Sequence, residues 1–289
     1  IQYPGGLSGS YTIPGSVTSI GECAFYNCDS LTSVTIPDSV TTVGEWAFGG
    51  CAALTSVIIP DSVINIGERV LTWCSSLTYV AIGSSVANIG NEAFTVCTSL
   101  TSIAVSADNP KYASSGGVLF NKDFTTLIRY PGGLSGSYTI PDSVTDIGND
   151  AFSICDSLTS VIIPDSVTNI GDHAFHDCGA LTSVAIPDSV KTIGDWAFYD
   201  CDALTSVTIG NSVTDIGEDA FYGCRSLVSA VIGNNVTNIK RSAFDGCDTL
   251  TCVLFTGNAV PAIEEGDIEE GFADTPDTLT LYYLPDTGV

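Results

Sequence analysis

Cys28-Asp29-Ser30-Leu31-Thr32-Ser33-Val34-Thr35-Ile36-Pro37-Asp38-Ser39-Val40-Thr41-Thr42-Val43-Gly44-Glu45-Trp46-Ala47-Phe48-Gly49-Gly50-Cys51 is one period of this chain. The same order of leucine, valine, isoleucine-proline, glycine and alanine-phenylalanine starts again at Cys51. Nine cysteines keep the 23-residue spacing: Cys28, Cys51, Cys74 and Cys97, then Cys155, Cys178, Cys201, Cys224 and Cys247. Cys97 and Cys155 are 58 residues apart, one 23-residue period plus an inserted block of 35 that leaves the register intact. A fixed period is the signature of a solenoid, in which each unit contacts only its neighbours.

Within a period, Val34 and Ile36 alternate with Ser33 and Thr35, the pattern of a short strand with one buried face, and Pro37 ends it. Val40, Val43, Ala47 and Phe48 are spaced by three and four, which predicts a turn and a short helical or 3₁₀ piece. The expected fold is therefore an α/β repeat solenoid: a coil with a parallel β-sheet on one face and short helical pieces on the other. Stacked coils bury the face that one coil cannot bury alone. The Ile-Gly step at Gly21, Gly67, Gly90, Gly148, Gly171, Gly194 and Gly217 points to a positive φ or a close backbone approach, and Lys240 breaks the series, predicting a strained or different turn there.

With 289 residues, 44% of them hydrophobic, the chain can bury a large core, and the period argues for one array rather than two globules. Eight Lys and Arg against 33 Asp and Glu leave a net charge of −25, which repels nucleic acid and anionic membrane surfaces. No apolar run approaches the roughly 18 residues that span a bilayer. Ile1–Val17 matches Ile128–Val144 with two differences, so the chain is expected to open inside a truncated insertion module of a longer protein.

Cys-x-x-Leu-x-x-Val-x-Ile-Pro-x-x-Val-x-x-Val-Gly-x-x-Ala-Phe, repeated over residues 11–105 and 138–255, resembles the BspA-like, or Treponema-type, leucine-rich repeats. The expected organisation is leucine-rich repeats over 1–105, an inserted β-hairpin module over 106–140, further repeats over 141–255, and a degenerate capping repeat over 256–289. The resemblance implies a right-handed leucine-rich-repeat coil on a secreted or cell-surface protein, often an adhesin that contacts host or matrix proteins.

Side-chain chemistry offers little for catalysis. No phosphate loop, nucleotide fingerprint or Cys-x-x-Cys is present, and the repeated Ser and Asp columns have no histidine partner, so neither enzyme activity, a cofactor nor a metal is expected. The nine periodic cysteines point the same way into the core and are expected to be free thiols, while Cys23 and Cys252 stand off the series and are candidates for reactivity or an intermolecular link. His173 and His176 are expected to be two exposed residues opposite the sheet, with a weak metal site as the sharper alternative, and His176, Tyr199 and Tyr222 to form a stacked strip. Columns of Asp38, Asp61, Asp142, Asp165 and Asp188, and of Glu22, Glu45, Glu68, Asp172, Asp195 and Glu218, either accept turn amides or collect divalent cations such as calcium.

Binding is the default role of such a surface. The candidate residues are the outward strand positions: Ser33, Thr35, Ser56, Ile58, Tyr79, Ala81, Ser102, Ala104, Ser160, Ile162, Ser183, Ala185, Ser206 and Thr208. Their partner is expected to be a protein, whether host, matrix or another copy of the chain, the last through end-to-end pairing. Because these positions are mostly small, the competing function is a structural or self-assembling spacer of a surface layer or fibre. The insertion, with Lys111, Tyr112, Phe120, Lys122, Phe124, Arg129 and Tyr130, either docks a partner or packs its aromatics on the array. Asn235-Val236-Thr237 has the letters of a glycosylation sequon but sits in the column of Ser39 and Ser62, where an inward polar ladder is expected. Leu284-Pro285-Asp286-Thr287-Gly288 is a weak match to a sortase signal.

Overall fold

The computed structural model describes residues 8–257, 262–263, 272 and 275–283. The chain divides into two compact units, Ile1–Leu134 and Ser135–Val289. In each, the alternating segments form parallel strands in a register of 23 residues. In the first unit Ser56–Ile59 pairs with Tyr79–Ile82 and that strand with Ser102–Val105, setting Val57, Val80 and Ile103 side by side. In the second, Ser183–Ile186, Ser206–Ile209, Ser229–Ile232 and Cys252–Phe255 pair in the same way. Thr280–Tyr283 adds to Cys252–Phe255. A second row of two-residue strands, such as Thr42–Val43 beside Asn65–Ile66, follows the proline turn of each coil. Each unit is thus a β-solenoid.

The core is a set of columns. Phe152, Phe175, Phe198, Phe221, Phe244 and Phe272 stack ring on ring with centroids 4.6 to 5.1 Å apart, close to the ~4.8 Å spacing of parallel strands. Phe25 and Phe48 do the same in the first unit, where Leu71 then takes the column. The periodic cysteines are buried and free. Each is a small apolar group, and the S–H of most of them donates weakly to a carbonyl of the coil before, Cys201 to Phe175 and Cys224 to Phe198, both at 3.2 Å.

The expected helical pieces are absent among the described residues, and the α/β assignment is corrected to an all-β coil closed by turns. Along Gly21–Cys28 the N–H groups alternate in direction. Cys23, Phe25 and Asn27 donate to Glu45, Ala47 and Gly49 of the next coil at 2.7 to 2.9 Å, while Ala24, Tyr26 and Cys28 donate back to Gly21, Cys23 and Phe25 at 3.1 to 3.3 Å. Two left-handed residues per coil, such as Cys23 at φ 51 and Asn27 at φ 56, turn every second N–H outward along the stack. An α-helix would direct all its N–H groups back along its own chain and leave the coils unlinked. The spacing of three and four that suggested a helix arises because consecutive turns also return Ala47, Phe48 and Cys51 to the core.

The stacked recurrent glycines mark a close approach rather than a positive φ. A Cβ on Gly194 would stand 2.6 Å from the Asp172 nitrogen of the coil beneath, whereas one on Gly21, in the first coil, would meet nothing within 4 Å. Gly194→Ala is expected to destabilise the protein by about 1–3 kcal/mol through overpacking, and Gly21→Ala to leave the melting temperature unchanged. Equal effects in thermal unfolding would refute the close-approach account. Lys240 does not produce a different turn, contrary to expectation. Its N–H bonds Ile216 O at 3.0 Å as the glycines' do, and its Nζ reaches back to Asp195 Oδ1 at 3.0 Å.

The insertion forms an antiparallel meander of Tyr112–Ser115, Val118–Asn121 and Thr126–Arg129. Its aromatics are used inward. Phe120 and Tyr130 are buried, Phe124 lies 5.1 Å from Phe120, and the Tyr112 hydroxyl accepts the Ile89 N–H at 3.2 Å. Asn109 seats the module on the array. It is wholly buried, donates through Nδ2 to Gly83 O and Val86 O at 2.9 and 3.0 Å, and accepts the Lys111 and Tyr112 N–H groups on Oδ1 at 2.8 Å each.

Candidate functional site

Strand alternation places the core residues Val57 and Ile59 inward, so Ser56 and Ile58 must face outward. In the first unit the register then sets Ser56, Tyr79 and Ser102 in one row and Ile58, Ala81 and Ala104 in the next, with Ser33 and Thr35 on the preceding strand. Ile58 is 64% exposed and Tyr79 39%. Together with Ala81, Ala104 and the rim residues Asp38 and Asp61 they line an open groove of about 780 Å³. In the second unit Ser160 and Ile162 lie on one strand, and Ser183, Ala185, Ser206 and Thr208 on the next two. Ile162 is 59% exposed and the last four residues carry only small side chains. Strand period found these residues; their gathering with Asp38 and Asp61 depends on the chain passing through the proline turn, which the period alone does not place.

Part of each acidic column is a hydrogen-bond ladder. Asp61 Oδ1 accepts the Ser84 N–H at 2.6 Å, and that amide holds its carboxyl below the usual carboxylate range. Asp188 accepts the Asn211 N–H at 2.7 Å, Asp172 that of Asp195 at 3.0 Å, and Asp195 that of Glu218 at 2.8 Å. Each of these four carboxylates is thus tied to the next coil's backbone. Among the described residues no group of three or more His, Cys, Asp or Glu converges as a metal site.

His173 and His176 are half-buried rather than exposed, which corrects the expectation for them. His173 stacks on Trp196 at 4.8 Å, and His176 begins the expected strip, 5.0 Å from Tyr199, which lies 4.9 Å from Tyr222. Burial first, and then the neighbouring His173, lowers the His176 pKa. The thiol of Cys51 is pushed up to about 12 by burial, and that of Cys23 is raised by burial and then by Glu22 and Glu45, so neither is an activated nucleophile. Asn235 is exposed and outside any inward ladder, whereas Ser39 and Ser62 of the same column bond the Val17 and Val40 carbonyls at 2.6 and 2.7 Å. The acidic run 264–270 and Leu284–Gly288 lie outside the described residues.

The family model described as "BspA type Leucine rich repeat region" matches residues 8–115 and 135–251 in six copies. The chain belongs to the BspA-type leucine-rich repeat family. As a BspA-type protein it is similar to the pneumococcal vaccine antigen PcpA, at 25% identity and a TM-score of 0.79 over 96% of this chain and 74% of that one. It is also similar to a leucine-rich cell surface protein of Faecalibacterium prausnitzii, at 31% identity and a TM-score of 0.66 over 86% of this chain and 79% of that one. A leucine-rich repeat protein of Eubacterium ventriosum, at 24% identity and a TM-score of 0.73 over 94% of this chain and 84% of that one, shares the fold. No curated protein matches the chain. Among the described residues no helix of this BspA-type chain is long and apolar enough to cross a membrane.

Proposed function

We propose that this BspA-type chain is a non-catalytic module at or outside the cell surface, and that its outward strand face binds protein. The observation that carries the reading is the exposure of Ile58 and Tyr79 at diagonal positions of paired strands over the groove, two large side chains on a first-unit face otherwise built of Ser, Thr and Ala. Large apolar and aromatic groups supply most of the binding energy in protein interfaces, and a tyrosine with a wet hydroxyl is a common anchor. The similarity to a named cell surface protein and to a vaccine antigen supports an extracellular setting.

The test is surface plasmon resonance of the intact chain against a panel of extracellular-matrix proteins and against itself. The double variant Ile58→Asp, Tyr79→Ala is expected to weaken the interaction found with the parent by at least about thirtyfold, the equivalent of one ~2 kcal/mol anchor. An undiminished response, or none from the parent, sinks the reading. The small outward residues Ser183, Ala185, Ser206 and Thr208 favour a second reading, a structural spacer, for which light scattering and negative-stain microscopy would show fibres or end-to-end chains in place of discrete particles.

A further inference from the structure

The turn face of the first unit carries an aromatic cluster that neither the core nor the outward strands use. Trp73 is 47% exposed. Its ring centroid lies 5.2 Å from that of Trp46 with the planes 51° apart, so the two indoles form adjoining walls, and Tyr26 sets its edge against Trp46 at 5.5 Å and 90°. Arg69 stands over Trp46, 5.5 Å from the ring centre, and both carboxylate oxygens of Glu92 hold it, Oε2 accepting from Nε at 2.9 Å and Oε1 from Nη2 at 2.5 Å. These two side chains remain 39% and 31% exposed.

One feature sets Trp73 apart from an ordinary packing residue. Its φ of 61 is the regular conformation of the turn, shared in the same column by Asn27, Gly50 and Val96 in this unit and by Ile154 and Gly223 in the other. The feature is its exposure. Trp196, by contrast, is covered by His173 at 4.8 Å and gives its indole N–H to Asp219 Oδ2 at 2.8 Å. Among the described residues the Trp73 indole N–H has no partner, its backbone N–H being given to Thr95 O at 3.2 Å.

The surroundings select the ligand. A net charge of −25 opposes an anion, and Arg69 already covers Trp46 and would repel a second cation. A flat apolar ring beside guanidinium donors, carboxylate acceptors and an unused indole N–H suits a neutral molecule with one apolar face and a rim of hydroxyls. We infer that Trp73, with Trp46, Arg69 and Glu92, is a binding site for a neutral pyranose unit of a glycan. It is independent of the protein-binding face, which lies on other residues.

The test is affinity electrophoresis of the intact chain in native gels containing mannan, mixed-linkage β-glucan, galactomannan or xylan, followed by tryptophan fluorescence titration with the matching hexasaccharide. At least one gel is expected to retard the parent. Trp73→Gly is expected to weaken binding at least tenfold while melting at the parent's temperature or above it, because glycine accepts the left-handed φ without cost. Trp73→Tyr, which keeps a flat ring without the indole N–H, is expected to fall between them. The Ile58→Asp, Tyr79→Ala variant is expected to be retarded as the parent is, which separates this site from the outward face. No retardation of the parent by any of the gels, or full retardation of Trp73→Gly, overturns the inference. A loss in Trp73→Gly of binding to a protein probe only, with no glycan bound by the parent, overturns it in favour of a protein contact.

Discussion

Phe198→Ala is expected to destabilise the second unit by about 3–5 kcal/mol and to lower its melting temperature by about 10 °C. The ring is wholly buried between Phe175 at 4.9 Å and Phe221 at 5.0 Å, with planes within 3° of parallel on both sides. Truncation therefore removes two stacking contacts and leaves a cavity that neighbouring coils cannot collapse into, since their spacing is set by backbone hydrogen bonds on both sides. Phe198→Leu is expected to cost only about 1 kcal/mol, because Leu71 already fills the equivalent column position at 1% exposure. Differential scanning calorimetry of both variants decides the matter. If alanine and leucine are equally tolerated, the phenylalanine column is not what holds the coils together.

Asn109→Ala should be of similar size, about 3–5 kcal/mol, for a different reason. One side chain satisfies two carbonyls and two amides with four bonds of 2.8 to 3.0 Å, and no water-accessible surface remains on it. Each buried polar group left without a partner costs about 1–3 kcal/mol, and rehydration recovers only part of that. Asn109→Asp is nearly isosteric but turns both donors into an acceptor aimed at the Gly83 and Val86 carbonyls, so it is expected to be at least as damaging. Hydrogen exchange should show the loss concentrated in Tyr112–Arg129, with Ser183–Phe255 unchanged. Uniform protection across the first unit in both variants would mean that Asn109 does not seat the insertion.

The residues that define the period were legible because each has a one-dimensional signature. Alternation of Val34 and Ile36 with Ser33 and Thr35 marks a half-buried strand wherever it occurs, and Pro37 ends it in any context. The stacked strip of His176, Tyr199 and Tyr222 followed from column position alone. Asn109 was not legible: an asparagine before a proline reads as an ordinary turn residue, and its four partners come from the coil before the insertion and from the insertion's own first residues. The Trp46 and Trp73 cluster escaped for a related reason, since the two residues occupy different columns of consecutive coils and column alignment alone does not bring them together.

The chain's own sequence determined the 23-residue period, the strand in each coil, the inward columns of Phe, Cys, Leu and Val, and the outward identity of Ile58 and Tyr79, because side-chain alternation and repetition need no knowledge of neighbours. Tertiary structure alone decided the turn face. An eight-residue stretch such as Gly44–Cys51 satisfies the apolar spacing of a helix equally well, and what selects consecutive turns is a row of carbonyls on the adjoining coil, to which Trp46, Phe48 and Gly50 donate at 2.8 to 3.0 Å. That stabilisation belongs to the stack rather than to any one coil, so local propensity cannot foretell it.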